Sequence, residues 1–236
     1  MVTPTCAPSR DSGKIFKIFK IRVKKSCEKG SCEKIHVKPI NDHIMQPRIG
    51  IFGGSFNPIH VGHIAIAREL LSLAHLDEVW FLVSPLNPFK KAATDLLDDD
   101  KRLLLTQRAL LGEPRLKASD YEFHLPKPSY TWNTLQHLKV DYPDKQFVLI
   151  IGADNWLAFD RWARPDYILS NFDVAVYARP DCPIDSSTLP SHVHIYNMGL
   201  FDISSTAIRA RIRQGQSIAG MIPTAIEALC MKFYTV

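Results

Sequence analysis

The stretch Gly50-Ile51-Phe52-Gly53-Gly54-Ser55-Phe56-Asn57-Pro58-Ile59-His60-Val61-Gly62-His63 constrains this chain more than any other. Arg48 to Phe52 is a β-branched and aromatic run that reads as a buried strand, and Gly53-Gly54 ends it where a ligand can approach bare backbone. Pro58 suits a turn or a first helical position. From Val61 the apolar residues Val61, Ile64, Ala65, Leu71 and Ala74 recur at helical spacing. The stretch is therefore strand, glycine turn, helix. A helix N-terminus offers free amide donors to an anion, and His60 and His63, three residues apart, face the same way from its first turn. Two imidazoles beside open amides point to phosphate.

Other readings fit less well. A dinucleotide-binding turn wants G-x-G-x-x-G and an acid ending the second strand, whereas these glycines fall as G-x-x-G-G and that strand ends at Val83-Ser84. No Walker lysine follows. His-x-x-His can chelate zinc on one helical turn, but no third ligand lies near it in sequence. A lone pair of histidines would be read as capping or packed side chains, and it is the adjoining glycine turn that favours the anion site.

The rest of the chain alternates strands and helices. Glu78 to Val83 is a second buried strand, which with the first helix makes a parallel, right-handed β-α-β unit. Its carboxyl end opens into the Pro-rich loop Ser84 to Lys91. Asp99 to Leu111 reads as a helix capped by Asp98 or Asp99, with Leu103, Leu104, Ala109 and Leu110 as its apolar stripe. At a helix start Asp98-Asp99-Asp100 complement the dipole, so no metal is assigned to them. Arg115 to Ala118 reads as a short strand, and Ser129 as the N-cap of a helix that buries Leu135 and Leu138. Gln146 to Ile151 is the clearest central strand, and it places Asp154 where a carboxylate can meet a ribose or an adenine amino group. Phe172 to Tyr177 and His192 to Tyr196 are further strands, separated by an exposed, Pro- and Ser-rich excursion. Ser204, Ser205 and Thr206 open a helix through Arg209, Arg211 and Arg213. Arg209 lies one turn from Ser205 and can lean toward the same anion, while Arg211 and Arg213 read as solvated cations. Gly215 ends that helix, and Ile222-Pro223 to Phe233 is a terminal packing helix.

Charge divides the chain. Residues 1–46 hold ten lysines and arginines against four acids, and residues 47–236 hold nineteen against twenty. The basic segment carries Lys14 to Arg22 and a near-repeat around Cys27 and Cys32; it reads as a disordered or mis-assigned extension rather than a membrane or nucleic-acid arm. It lacks the apolar core of a secretory signal, and Met45, shortly before the first strand, reads as the true start. Five cysteines without framework spacing suit a reducing, cytoplasmic compartment.

Gly-Gly-Ser-Phe-Asn-Pro-Ile-His-Val-Gly-His matches G-G-x-F-x-P-x-H-x-G-H, the pattern of the nucleotidyltransferase superfamily that carries the H-x-G-H motif, and the chain most resembles its bacterial nicotinate-nucleotide adenylyltransferases. Ile203 to Arg209 matches the I-S-S-T-x-I-R motif of the same branch, in the expected order. The resemblance covers residues 47–236. It implies an α/β fold, a single Rossmann-like domain whose mostly parallel central sheet is flanked by helices. It implies adenylyl transfer from ATP to nicotinate mononucleotide, giving deamido-NAD and pyrophosphate in NAD biosynthesis, with Mg2+ carried by the ATP.

By resemblance, His60, His63 and Arg209 are the catalytic candidates. Gly53, Gly54, Ser55, Phe56, Gly62, Gly152, Asp154 of the family's G-x-D motif, Ile203, Ser204, Ser205 and Thr206 are the candidates for binding ATP. Lys90, with Lys91 as a rival, matches a basic residue near the phosphates. Tyr130 and Thr131 match the P-S-Y-T segment that lies against nicotinate mononucleotide, and Trp162 matches an aromatic packed on the pyridine ring. No protein-held metal, membrane or nucleic-acid partner is expected, and a homo-oligomer is left open. The alternatives are nicotinamide mononucleotide or phosphopantetheine as acceptor, or a non-catalytic nucleotide-binding regulator.

Overall fold

The computed structural model describes residues 46–85, 95–199 and 203–235. The expectations for residues 1–45, for Met45 as the start and for Lys90 and Lys91 lie outside the described residues.

Six strands, β1 (Arg48–Gly54), β2 (Glu78–Val83), β3 (Leu116–Ser119), β4 (Gln146–Gly152), β5 (Asp173–Tyr177) and β6 (Val193–Tyr196), form one sheet in the order β3-β2-β1-β4-β5-β6. Every pairing is parallel, with Phe52 opposite Phe81 on one side and Ile150 on the other. The helices are α1 (Val61–Leu73), α2 (Asp99–Ala109), α3 (Thr131–Asp141), α4 (Ala153–Trp156), α5 (Pro165–Asn171), α6 (Ser205–Arg213) and α7 (Thr224–Tyr234). The fold is Rossmann-like: the order reverses between β1 and β4, and a crevice opens outside the carboxyl ends of those two strands.

Strands buried on both faces read as continuous apolar runs, which is how β1, β2 and β4 appear in the sequence. Alternation then divides the core. Phe52, Phe81 and Ile150 face α1, α2, α6 and α7 through Leu70, Leu105, Ile208 and Ile226. Ile49, Ile51, Leu82 and Leu149 face α3 and α5 through Leu135, Leu138 and Ile168.

The helix faces correct the sequence reading in two places. In α1 the buried residues are Gly62, Ile64, Ala67, Leu70 and Leu71, and Val61 and Ala65 are only half-buried. In α2 the buried face is Arg102, Leu105, Thr106 and Ala109, continued by Leu110, while Leu103 and Leu104 are half-buried. That face keeps helical spacing but begins on a fully buried arginine. The reason is a set of backbone acceptors: Arg102 donates to the carbonyls of Leu97 (2.8 Å), Ser55 (2.6 Å) and Ser84 (3.0 Å) and to Asp99 (2.6 Å). Asp98 holds the N-cap position of α2 as expected but makes no side-chain cap bond and pairs with Lys101, while Asp99 lies inside the helix, is not its cap and pairs with Arg102. Ser129 is not the N-cap of α3 either: that position belongs to Tyr130, and Ser129 is buried one residue earlier.

Candidate active site

The first motif is built by the end of β1 and the start of α1. Phe56 turns the chain with a positive φ of 42°, and its ring is 3% exposed, packed on Phe52 and Phe81. Gly62 is buried inside α1. Phe56 and Gly62 thus shape the turn from within, and Phe56 has no ring surface to offer a nucleotide. Pro58 lies in the turn, and the N-cap residue of α1 is His60.

His60 and His63 stack with ring centroids 3.6 Å apart. The His63 ring also meets the edges of Phe52 and Phe56. The backbone N–H of His60 donates to His63 Nδ1 (3.3 Å), so a neutral His63 carries its proton on Nε2. His60 is 6% exposed, and its Nδ1 has no hydrogen-bond partner among the described residues. Burial, and then the nearby charge of Arg179, lower its pKa to about 4, so the imidazole is neutral at physiological pH.

The second motif docks on the first. Ser204 caps α6 by accepting from the Ala207 N–H (3.1 Å), and Ser205 Oγ donates to the Pro58 carbonyl (2.8 Å). Arg209 donates from Nη1 to the Asn57 carbonyl (2.7 Å) and from Nε to Asp95 (2.9 Å). Thr206 Oγ1 lies 3.5 Å from Arg209 Nη2, and Ile203 packs against the core beneath. Arg213 is not simply solvated, because it too reaches Asp95, at 3.4 Å.

Between the ends of β1 and β4 lies a cavity of about 410 Å³. It brings together six of the residues singled out from sequence: Gly53, Gly54, Gly152, Tyr130, Thr131 and Trp162. His60, His63, Arg209, Asp154 and the start of α6 are not part of its lining. Asp154, expected as a free acceptor, forms an ion pair with Arg179 (3.0 Å), whose Nη2 donates to the Tyr177 hydroxyl (3.2 Å).

Sequence reasoning missed Arg179, Ser84, Glu122 and Thr134; the last three line the cavity. Glu122 sits on a single 3-10 turn, Tyr121–His124, and is 5% exposed. Its carboxylate accepts from Ser84 Oγ (2.7 Å) and Thr134 Oγ1 (2.9 Å). Burial pushes its pKa up, with the hydroxyl donors working in the opposite direction. A lone acid between Tyr121 and Phe123 matches no motif and carries no local signal; only the fold shows it to be interior. Among the described residues no group of three or more His, Cys, Asp or Glu is arranged to hold a metal ion, and no helix is long and apolar enough to cross a membrane.

A family model described as cytidylyltransferase-like matches residues 51–211. A protein of Bacteroides fragilis (strain YCH46), named a probable nicotinate-nucleotide adenylyltransferase, is 50% identical over 179 residues, 76% of this chain and 89% of its own length. A namesake from Bacteroides thetaiotaomicron is 46% identical over 171 residues, 72% and 84% of the two chains. Among solved structures, Plasmodium falciparum nicotinic acid mononucleotide adenylyltransferase complexed with NaAD superposes with a TM-score of 0.67 at 19% identity, over 80% of this chain and 95% of that one, a likeness of fold. With the second motif docked on the first and relatives this similar over most of their length, the chain belongs to the nicotinate-nucleotide adenylyltransferases, within the cytidylyltransferase-like nucleotidyltransferases.

Proposed function

We propose that the chain transfers the adenylyl group of ATP to nicotinate mononucleotide, releasing pyrophosphate and forming deamido-NAD, as a step of NAD biosynthesis in the cytoplasm. The observation that carries this reading is the cavity running from the bare backbone of Gly53 and Gly54 to the wall of Tyr130, Thr131 and Trp162. Its glycine end is the close of β1, the strand that leads into the stacked histidines, and its far end is aromatic and hydroxylated, suited to a ring with an anionic substituent.

In this reading the acceptor's 5′-phosphate attacks the α-phosphorus of ATP in line and pyrophosphate leaves. The chemistry needs positioning and charge stabilisation more than covalent help. A neutral His60, and His63 beside it, donate N–H groups to phosphate oxygens, and Arg209, already oriented by Asn57 and Asp95, supplies fixed positive charge. The ATP candidates are Gly53, Gly54, Ser55, Phe56, Gly62, Gly152, Asp154, Ile203, Ser204, Ser205 and Thr206; Phe56 and Gly62 contribute through the turn they shape. Asp154 reaches the nucleotide by sharing or leaving its pair with Arg179. Lys90, Tyr130, Thr131 and Trp162 are assigned to the acceptor. Mg2+ enters with ATP as part of the substrate.

The test is pyrophosphate release by the full chain with Mg-ATP and, in turn, nicotinate mononucleotide, nicotinamide mononucleotide and phosphopantetheine. Preference for the nicotinate substrate is the expected result. Preference for another acceptor would move the substrate but keep the chemistry, and silence from all three would overturn the proposal.

A further inference from the structure

Glu122 and Arg102 are two buried ionisable groups that the reaction above does not use, and one residue joins them. Ser84, just past the end of β2, donates its backbone N–H to the Gly54 carbonyl (2.9 Å), accepts from Arg102 Nη1 at its own carbonyl (3.0 Å) and donates its hydroxyl to Glu122 (2.7 Å). Glu122 is held on its other oxygen by Thr134, in the first turn of α3 (2.9 Å). Arg102 in turn holds the Ser55 carbonyl (2.6 Å). A continuous chain of buried and part-buried hydrogen bonds therefore runs from Gly54 and Ser55, where ATP phosphates are proposed to lie, to the helix that presents Tyr130 and Thr131. Glu122 is 5% and Thr134 2% exposed, so little of either side chain is open to solvent even where they line the cavity.

We infer that Glu122, acting through Ser84 and Thr134, is the positioning residue that fixes the acceptor pocket in register with the phosphate-binding turn. A carboxylate suits the task because each oxygen takes one hydroxyl, one from just past the end of β2 and the other from α3. An in-line reaction needs its attacking and accepting groups placed to within a fraction of an ångström, and a misplacement of about 1 Å is enough to lower the rate roughly a hundredfold. Glu122 need not touch either substrate to have this effect. The inference rests on the adenylyl transfer proposed above.

The test compares Thr134→Val, which keeps the shape but removes the hydroxyl, with Thr134→Ser, which keeps the hydroxyl, and with Glu122→Gln. Thr134→Val and Glu122→Gln are expected to lower kcat/KM for the acceptor about ten- to a hundredfold, with KM for Mg-ATP unchanged and Thr134→Ser close to wild type. Equal loss in Thr134→Ser and Thr134→Val, or loss that falls equally on both substrates, would overturn it. A second readout needs no turnover. Amide hydrogen exchange of Ser84, whose N–H is bonded to Gly54, is expected to quicken in Thr134→Val and Glu122→Gln and not in Thr134→Ser. If the wild type proves inactive on nicotinate mononucleotide, the functional reading fails, and this exchange pattern still decides whether the hydrogen-bond chain couples α3 to the turn; unchanged exchange in every variant would overturn the coupling. Should Thr134→Val fail to fold, Ser84→Ala breaks the same chain at its midpoint and is expected to produce the same split.

Discussion

His60 is a titratable ring held where a charge is unwelcome. It is 6% exposed, stacked on His63, and Arg179 adds a repulsive field, so its pKa of about 4 lies well below the ordinary 6.5. The sign of the linkage follows. As pH falls below about 6.5 the unfolded chain takes up this proton first, so the stability from His60 is complete above that value and is lost as pH falls toward 4. At about 1.4 kcal/mol per unit the whole loss is of order 3 kcal/mol. Urea unfolding at pH 7 and pH 4.5 is expected to show a smaller acid-induced loss in His60→Gln than in wild type. Equal losses would mean that His60 is not the neutral, buried group described here. The polyphosphate of ATP bound as proposed would reverse the field, so an imidazole titration followed by NMR is expected to move upward on adding Mg-ATP.

β1 shows at the scale of an element how one strand serves both the fold and the site. A Cβ placed on Gly50 would come within 2.7 Å of Ile150 Cδ1 and 2.8 Å of Leu76 Cδ1, both from fully buried side chains. A Cβ on Gly53, three residues on, would meet nothing within 4 Å. Gly50→Ala is therefore expected to destabilise the protein by about 1–3 kcal/mol through overpacking. Gly53→Ala should change stability by no more than about 0.5 kcal/mol, yet raise KM for ATP about tenfold, the effect of roughly 1.4 kcal/mol of lost binding. Thermal melts beside steady-state kinetics separate the two, and an unchanged KM in Gly53→Ala would remove ATP from that backbone. β1 also shows what a sequence can tell. A strand buried on both faces announces itself as an apolar run, and its glycine turn and the α1 histidines are contiguous, so local pattern sufficed for both. α2 marks the opposite case. Because an arginine in a helix is assigned to solvent by default, the stripe of α2 reads as Leu103, Leu104, Ala109 and Leu110, of which Ala109 and Leu110 are buried and Leu103 and Leu104 only half so. The carbonyls that make Arg102 an interior residue come from Ser55, Ser84 and Leu97, and only the fold gathers them. Glu122 escaped notice for the same reason, and so did the pairing of Asp154 with Arg179.

Over the whole molecule, the last helix closes the structure onto its first motif. Ile226, Cys230 and Tyr234 recur at four-residue spacing on α7, are at most 5% exposed, and complete the core face of α1, α2 and α6. Burying a side chain such as that of Ile226 contributes about 1.5–3 kcal/mol, against a total of roughly 5–15 kcal/mol for a whole domain. The helix is thus required for folding rather than an appendage to it. Its end is also tied chemically: the Tyr234 hydroxyl donates to Asn57 Oδ1 (2.7 Å) across 177 residues of sequence. The same oxygen accepts from the Leu97 N–H (3.2 Å), and Asn57 Nδ2 donates to the Asp95 carbonyl (3.0 Å). Tyr234→Phe leaves Asn57 with its second donor, so the expected loss is one net hydrogen bond, about 1 kcal/mol, seen as a lower urea midpoint with an unchanged slope. Removal of residues 224–236 takes away all three buried side chains together and is expected to abolish the cooperative transition. A truncated chain that still unfolded in one sharp step would show the sheet and the remaining helices to be stable alone, and Asn57 would then owe its placement to Leu97 and Asp95 and not to the C-terminal helix.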